Sequence, residues 1–265
     1  MLKDFLFLLE KKSLMEIIKL SDKNIHEEHI CCAFTSKESK EGYLMKKDWL
    51  KTQFKNGYTF QKLDAKAKVF IEYVPIENSW LPIEGNNYMI INCFWVSGRY
   101  KGKGYGKQLL DKCLADASEM DGVITITAEK KRPFMNDPKF FVKQGFELID
   151  EAPPYFKLWG KKKKGSQARF PKFSESAKKG VCDNKKGITA YYSNSCPFTE
   201  FYNRSFLQAY ADKKGIPLKI HQIKTKEDGK NMPIPWIINS VFYEGNLVTL
   251  DVKADKHLDK YIGEK

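Results

Sequence analysis

The segment Tyr88–Leu110, Y-M-I-I-N-C-F-W-V-S-G-R-Y-K-G-K-G-Y-G-K-Q-L-L, decides how the rest of the chain is read. It opens as an apolar run of β-branched and aromatic residues, the composition of a buried strand. It closes on amphipathic Lys107–Ala117, which predicts a helix. Between the two, Gly102, Gly104 and Gly106 alternate with Lys101, Lys103, Tyr105 and Lys107. Glycines bare the backbone N–H groups, and a helix N-terminus adds partial positive charge, so this turn suits a phosphate.

Spacing narrows the choice of phosphate site. A Walker loop needs G-x-x-x-x-G-K-[ST], but Gly106-Lys107 is followed by Gln108, which has no hydroxyl for magnesium. A dinucleotide fingerprint needs G-x-G-x-x-G, whereas these glycines fall on every second residue and no acidic residue stands where a ribose contact belongs. The pattern V-x-x-x-x-[RQ]-x-x-G-x-[GA] fits with Val96, Lys101, Gly104 and Gly106. A shifted register on Arg99, Gly102 and Gly104 also matches its short form. The first register keeps Val96 at the end of the strand and Gly106 in the first helical turn. In this the chain resembles motif A of the GNAT-type N-acetyltransferases, with lysine in place of the usual Arg or Gln. The resemblance implies acetyl-CoA as co-substrate. Its pyrophosphate would lie on the amides of Lys101, Gly102, Lys103, Gly104, Tyr105, Gly106 and Lys107. Its pantetheine arm would add like an extra strand along Phe94, Trp95 and Val96.

A chain of 265 residues accommodates one or two domains, and two are read here. Hydrophobic content of 42% with 14% aromatics is that of a folded chain, and no apolar run approaches a transmembrane helix. The N-terminal M-L-K-D-F-L-F-L-L-E has an acid on each side of a short apolar core and no small-residue cleavage site. It makes a poor secretory signal, so a cytoplasmic location is expected, with residues 1–14 as an N-terminal extension. The six cysteines form no C-x-x-C pair and have no histidine at zinc spacing, which predicts reduced thiols and no metal. His26 and His29, one turn apart, read as surface or packing residues.

The net charge of +13 is uneven: residues 161–186 hold ten Lys/Arg against Glu175 and Asp183. That stretch reads as a solvated basic connector between domain 15–160 and domain 187–265. It has few aromatics, so nucleic acid is not the expected partner.

Along the first domain, Asn24–Thr35 and Glu41–Lys55 read as amphipathic helices and Tyr58–Leu63 with Ala67–Val74 as a hairpin. Gly122–Glu129 is a second buried strand, parallel to the first across the helix. In the GNAT fold such strands splay apart, and a backbone amide in the gap stabilises the developing oxyanion. Lys139–Phe146, K-F-F-V-K-Q-G-F, resembles the end of the family's fourth helix, with Gly145 as its C-cap. Where the family often has a tyrosine to protonate the leaving thiolate, this chain has Phe141. Tyr155 is a candidate in its place, alongside water or catalysis by proximity, and Glu72 is a candidate base.

Beyond the connector, Gly187–Tyr192 reads as a strand, followed by a helix to about Lys213, a strand at Pro217–Ile223, a hairpin turning at Glu244-Gly245-Asn246, and a helix from about Lys253 to Tyr261. This order resembles a thioredoxin fold. Cys196-Pro197-Phe198-Thr199 stands at the C-x-x-C position with threonine for the second cysteine, and Ile234-Pro235 stands where that fold keeps a cis-proline. The combination resembles the YoaP-like acetyltransferases.

The expected fold is thus α/β (α+β): a GNAT acyl-CoA N-acyltransferase fold with a splayed mixed sheet, then a thioredoxin-like domain. The expected activity is acetyl transfer from acetyl-CoA to a small-molecule or protein amine by direct attack, with no membrane partner. Two alternatives stay open. One is a non-catalytic acyl-CoA sensor; the other is an enzyme using Cys196, whose place before a helix N-terminus favours a thiolate.

Overall fold

The computed structural model describes residues 15–30 and 33–263; the expected extension at residues 1–14 lies outside them. Strands β1 (Ile17–Lys19), β2 (Thr59–Leu63), β3 (Val69–Pro75), β5 (Tyr88–Val96), β6 (Gly122–Ala128), β7 (Glu147–Ala152) and β8 (Phe156–Lys162) form a seven-stranded sheet in the order β1-β2-β3-β5-β6-β8-β7. Within it β5 and β6 are parallel, and α2 (Tyr105–Asp116) crosses between them. A short strand β4 (Ile83–Glu84) pairs with β9 (Lys172–Phe173).

The period-two alternation of the strands sorts side chains onto two faces. Ile71, Met89, Ile91 and Val123 pack with Leu109, Leu110 and Cys113 of α2 and with Phe141 of α3 (Pro138–Lys143). Their neighbours Phe70, Tyr88, Ile90 and Ile124 face the other way, toward Leu50 of α1 (Lys40–Phe54). Because both faces are covered, every residue of β6 is buried.

The second half builds a four-stranded sheet ordered β11-β10-β12-β13 from β10 (Ile188–Tyr192), β11 (Leu218–Gln222), β12 (Asn239–Tyr243) and β13 (Asn246–Thr249). Strands β10 and β11 are parallel and the other pairings antiparallel. The helical segment after β10 runs as α4 (Thr199–Phe201), a π-helical stretch Tyr202–Leu207, and α5 (Gln208–Lys214); α6 (Lys226–Lys230) and α7 (Asp255–Gly263) follow β11 and β13. This half is docked on the α1 face of the first sheet. Phe173, Ile234, Trp236 and Phe242 share one continuous core with Phe60, Phe70 and Ile124. Backbone contact is close: a Cβ added to Gly42 of α1 would sit 2.2 Å from Pro197 O, and one added to Gly229 of α6 would sit 2.2 Å from Trp80 O.

Three local expectations are corrected. Among the described residues of Asn24–Thr35 there are turns and no helix. Asn24 Oδ1 accepts from Ser21 N–H at 2.8 Å and its amide donates to Lys19 O, so the side chain folds back on the chain before it and closes a local turn. Fully buried Ile25 and Ile30 then pin the turns to the core. The 161–186 stretch is not solvated throughout. Phe173 and Ala177 are fully buried, and burying one such ring is worth about 1.5–3 kcal/mol, which fastens the segment while most of its lysines stay partly or fully exposed. The cis peptide bond among the described residues is Pro153–Pro154, not Ile234–Pro235.

Candidate active site

The glycine turn is shaped as the sequence requires. Helix α2 begins at Tyr105, with Gly104 as its N-cap at φ 86° and Gly102 at φ 72°, conformations that side chains resist. A Cβ at either glycine would meet nothing within 4 Å, so the space above them is open. No side chain caps this helix and its first turn holds no acid. Its leading N–H groups therefore face open space with the positive end of the dipole behind them, an arrangement that suits a pyrophosphate. Lys101 and Lys103 are exposed beside it, while Lys107 is paired with Asp111 at 2.6 Å. Gly106 is tight for a different reason: a Cβ there would press on Phe140 at 3.2 Å and Phe94 at 3.3 Å.

Strands β5 and β6 pair only from Tyr88↔Gly122 to Ile91↔Thr125. Beyond that point β6 continues against β8 as far as Ala128, and β5 against β3 as far as Val96, so the two part company. At the fork the β3–β5 register shifts: Glu72 faces Cys93 and Tyr73 faces Ile91, which leaves Asn92 as the extra residue of a bulge. Asn136 bridges the fork. Its Oδ1 accepts from Phe94 N–H at 3.1 Å and its Nδ2 donates to Thr125 Oγ1 at 3.0 Å.

On the α1 face of this fork lies a small, partly open cavity. Glu72 from β3, Asn92 and Cys93 from the bulge, and Trp49 from α1 line it together with Ser195 and Trp236 from the second half. Glu72 is buried yet fully partnered. Lys46 Nζ donates to Oε1 at 2.6 Å and Tyr58 OH to Oε2 at 2.8 Å. Burial first, and then the Glu72 charge, push the Tyr58 phenol well above its ordinary pKa, so it stays a donor.

The sequence-derived candidates are thus divided. Glu72 is on the cavity, and Phe94, Trp95 and Val96 lie past the fork, with Phe94 stacked on Phe140 at 4.7 Å between centroids. Tyr155 is not among the cavity residues; the Arg132 guanidinium lies 3.7 Å from its ring centroid, and burial raises its phenol pKa. Cys196 is half-buried, next to the cavity residue Ser195, and Thr199 Oγ1 is occupied with Ser193 O and Cys196 O. Phe141 is fully buried among Phe94, Phe140 and Phe146. Lys46, Tyr58, Trp49 and Trp236 were not legible as site residues. One signal existed for Lys46: it falls on the buried stripe Gly42, Lys46, Leu50, Gln53 of α1, where a lysine demands a partner.

A cradle at the helix N-terminus, a forked pair of parallel strands and a bulge at the fork define the acyl-CoA-dependent acyltransferase class. The Acetyltransferase (GNAT) family matches residues 23–146 and the YoaP-like family residues 217–260. The uncharacterized N-acetyltransferase YoaP of Bacillus subtilis (strain 168) is 41% identical over 247 residues, covering 92% of this chain and 97% of the relative. The chain belongs to the GNAT N-acetyltransferases, in the YoaP-like group, enzymes that move acetyl from acetyl-CoA to an amine. Among solved structures, PH1933 from Pyrococcus horikoshii OT3 covers 56% of this chain and 99% of its own at 21% identity, with a TM-score of 0.40. The paia N-acetyltransferase from Thermoplasma acidophilum, in complex with coenzyme A, covers 56% and 100% at 17% identity, with a TM-score of 0.39. No helix among the described residues is long and apolar enough to cross a membrane.

Proposed function

We propose that the middle of strand β5 and the glycine turn that follows its C-terminal end divide the labour of acetyl transfer. Phosphates lie on the amides of Lys101–Lys107, the acyl end of the same substrate reaches the fork along Phe94–Val96, and the acceptor amine enters from the cavity. The observation that carries this reading is the loss of β5–β6 pairing after Ile91↔Thr125, beside a bulge residue that lines the cavity. The neutral amine nitrogen attacks the acetyl carbonyl carbon and the carbon–sulfur bond breaks. The nitrogen gives up one proton, and coenzyme A leaves as thiolate and takes one up. Glu72 keeps a lone pair on each oxygen beyond those given to Lys46 and Tyr58, and it is the proposed acceptor toward the amine N–H. Phe141 has no proton to give, so Tyr155 is the proposed donor to the thiolate; burial keeps its phenol protonated.

The second half, residues 187–265, is proposed to be a thioredoxin-like domain reached through the 161–186 segment. Its sheet order, with one parallel and two antiparallel pairings, supports that reading. Its two loops at Ser193–Phe198 and Ile234–Ile238 reach the cavity, which favours shaping the acceptor site over thiol chemistry as its role.

The test is release of free coenzyme A thiol from acetyl-CoA against a panel of amines, with calorimetry of coenzyme A binding beside it. Amine-dependent thiol release is expected. Absence of coenzyme A binding would overturn the reading.

A further inference from the structure

The cavity carries unspent hydrogen-bonding capacity. Among the described residues, Trp49 Nε1, Trp236 Nε1 and Asn92 Oδ1 are buried polar atoms without a partner, and all three belong to side chains that line this one cavity. Trp236 is only 3% exposed. A buried indole N–H ordinarily finds an acceptor, because leaving it dry forfeits its bond to water. Two orphaned donors and one orphaned acceptor on the same walls describe the ligand that would satisfy them: oxygen toward the indoles, N–H toward Asn92. Asn92 is the bulge residue at the fork, so the N–H end of the ligand would lie next to the transfer point.

The rest of the lining gives the body of that ligand. Trp49 stands edge-on to Tyr58 at 5.0 Å and to Trp80 at 5.8 Å, and with Trp236 they offer ring faces and edges beside Val74 and Ile237. Such walls select a flat apolar group. Charge excludes other classes. Glu72 is the one carboxylate on the lining and Lys46 already balances it, so no surplus negative charge awaits a polycation. Ser195, Trp236, Ile237 and Ile238 of the second half complete the lining, which suits a small molecule better than a lysine on a folded protein.

We infer that the acceptor is a small arylalkyl amine bearing one oxygen acceptor group, and that Trp236, from the second half of the chain, reads that oxygen. This deepens the amine-site reading above and rests on it.

Calorimetry on the full chain saturated with coenzyme A tests it, using tyramine, phenethylamine, spermidine and a lysine-containing peptide. Tyramine should bind about ten-fold more tightly than phenethylamine, which lacks the hydroxyl, and spermidine and the peptide should bind more weakly than either. Trp236→Phe keeps an aromatic side chain but deletes the indole N–H, and should bring the tyramine-to-phenethylamine affinity ratio down from about ten-fold toward one, whatever the smaller ring does to both affinities together. Trp49→Phe is the second variant, from α1. Tighter binding of spermidine or the peptide than of both aromatic amines would overturn the assignment. So would an unchanged tyramine-to-phenethylamine ratio in both variants. Thiol release run in parallel separates the two readings. If aromatic amines bind as described without being acetylated, the transferase roles fail and the ligand class stands. If only spermidine or the peptide is acetylated, the ligand class fails and the transferase stands.

Discussion

Lys46 Nζ lies 2.6 Å from Glu72 Oε1, with the two side chains 2% and 1% exposed. Two charges taken out of water this far are tolerable only together, because each alone keeps its desolvation penalty. Lys46→Met should therefore destabilise the fold by about 3–5 kcal/mol, the range for breaking a buried pair from one side. Glu72→Gln keeps hydrogen bonding to Tyr58 and should cost less stability while lowering kcat. Urea denaturation paired with thiol-release kinetics reads both. Equal loss of stability in the two variants, with kcat unchanged in Glu72→Gln, would confine the pair to a structural role.

Gly104→Asp places a carboxylate at the N-cap of α2, where the phosphates are proposed to lie. A well over ten-fold loss of coenzyme A affinity is expected, above about 1.4 kcal/mol. Gly165 also has a positive φ with open space around it, and its neighbour Ser166 bonds Asp121, past the C-terminal end of α2 and not at the N-terminal end where the phosphates are proposed. Gly165→Asp controls for backbone strain and should leave the calorimetric Kd unchanged. Equal effects from both variants would count against the cradle.

The docking of the two halves depends on two glycines. Gly42→Ala and Gly229→Ala each drive a Cβ to 2.2 Å from a backbone oxygen of the opposing half, a clash that only movement of the docked surfaces relieves. Each should lower stability by about 1–3 kcal/mol, the range for overpacking, and raise the KM for the amine more than that for acetyl-CoA. Thermal melts and limited proteolysis near residues 161–186 check this. Wild-type cleavage with a wild-type amine KM would show that the cavity does not need the docked half.

Tyr155→Phe should lower kcat by at least ten-fold with KM for acetyl-CoA unaltered, as loss of a general acid does. The readout is kcat across pH, since a donor's loss removes the limb it controls. A kcat within two-fold of wild type throughout reassigns proton delivery.

Lys230 Nζ donates to Ile83 O between the halves at 3.1 Å, and burial lowers its pKa to about 8. Between that value and the unfolded value of about 10.4 the unfolded chain holds the extra proton, so stability rises with pH through this window. Below pH 8 the buried ammonium is charged in both states and its desolvation cost is fully present. Lys230→Met removes the titration, and the stability difference between wild type and variant should shift in favour of wild type as pH goes from 7.5 to 10. A flat difference would mean that the amine is solvated.

Local chemistry determined much of this protein. The strand, glycine turn and helix of Tyr88–Asp116 follow from residues within a few positions of one another: β-branched periodicity, positive-φ glycines and an uncapped helix start. The parallel return at β6, the hairpin β2–β3 and the Glu244-Gly245 turn were legible for the same reason. Helical periodicity misled at Asn24–Thr35, because spacing does not reveal that Asn24 turns back on Lys19 O or that His29 is held by Ala67 O. The cavity was decided by tertiary structure alone. Its charge pair joins a helix to a strand, its bulge depends on a register set by a neighbouring strand, and Trp236 arrives on a loop of the second half, which packs on the first sheet. Those contacts are bought by burying apolar faces, which is non-directional and indifferent to sequence distance, so no local pattern in the chain announces them.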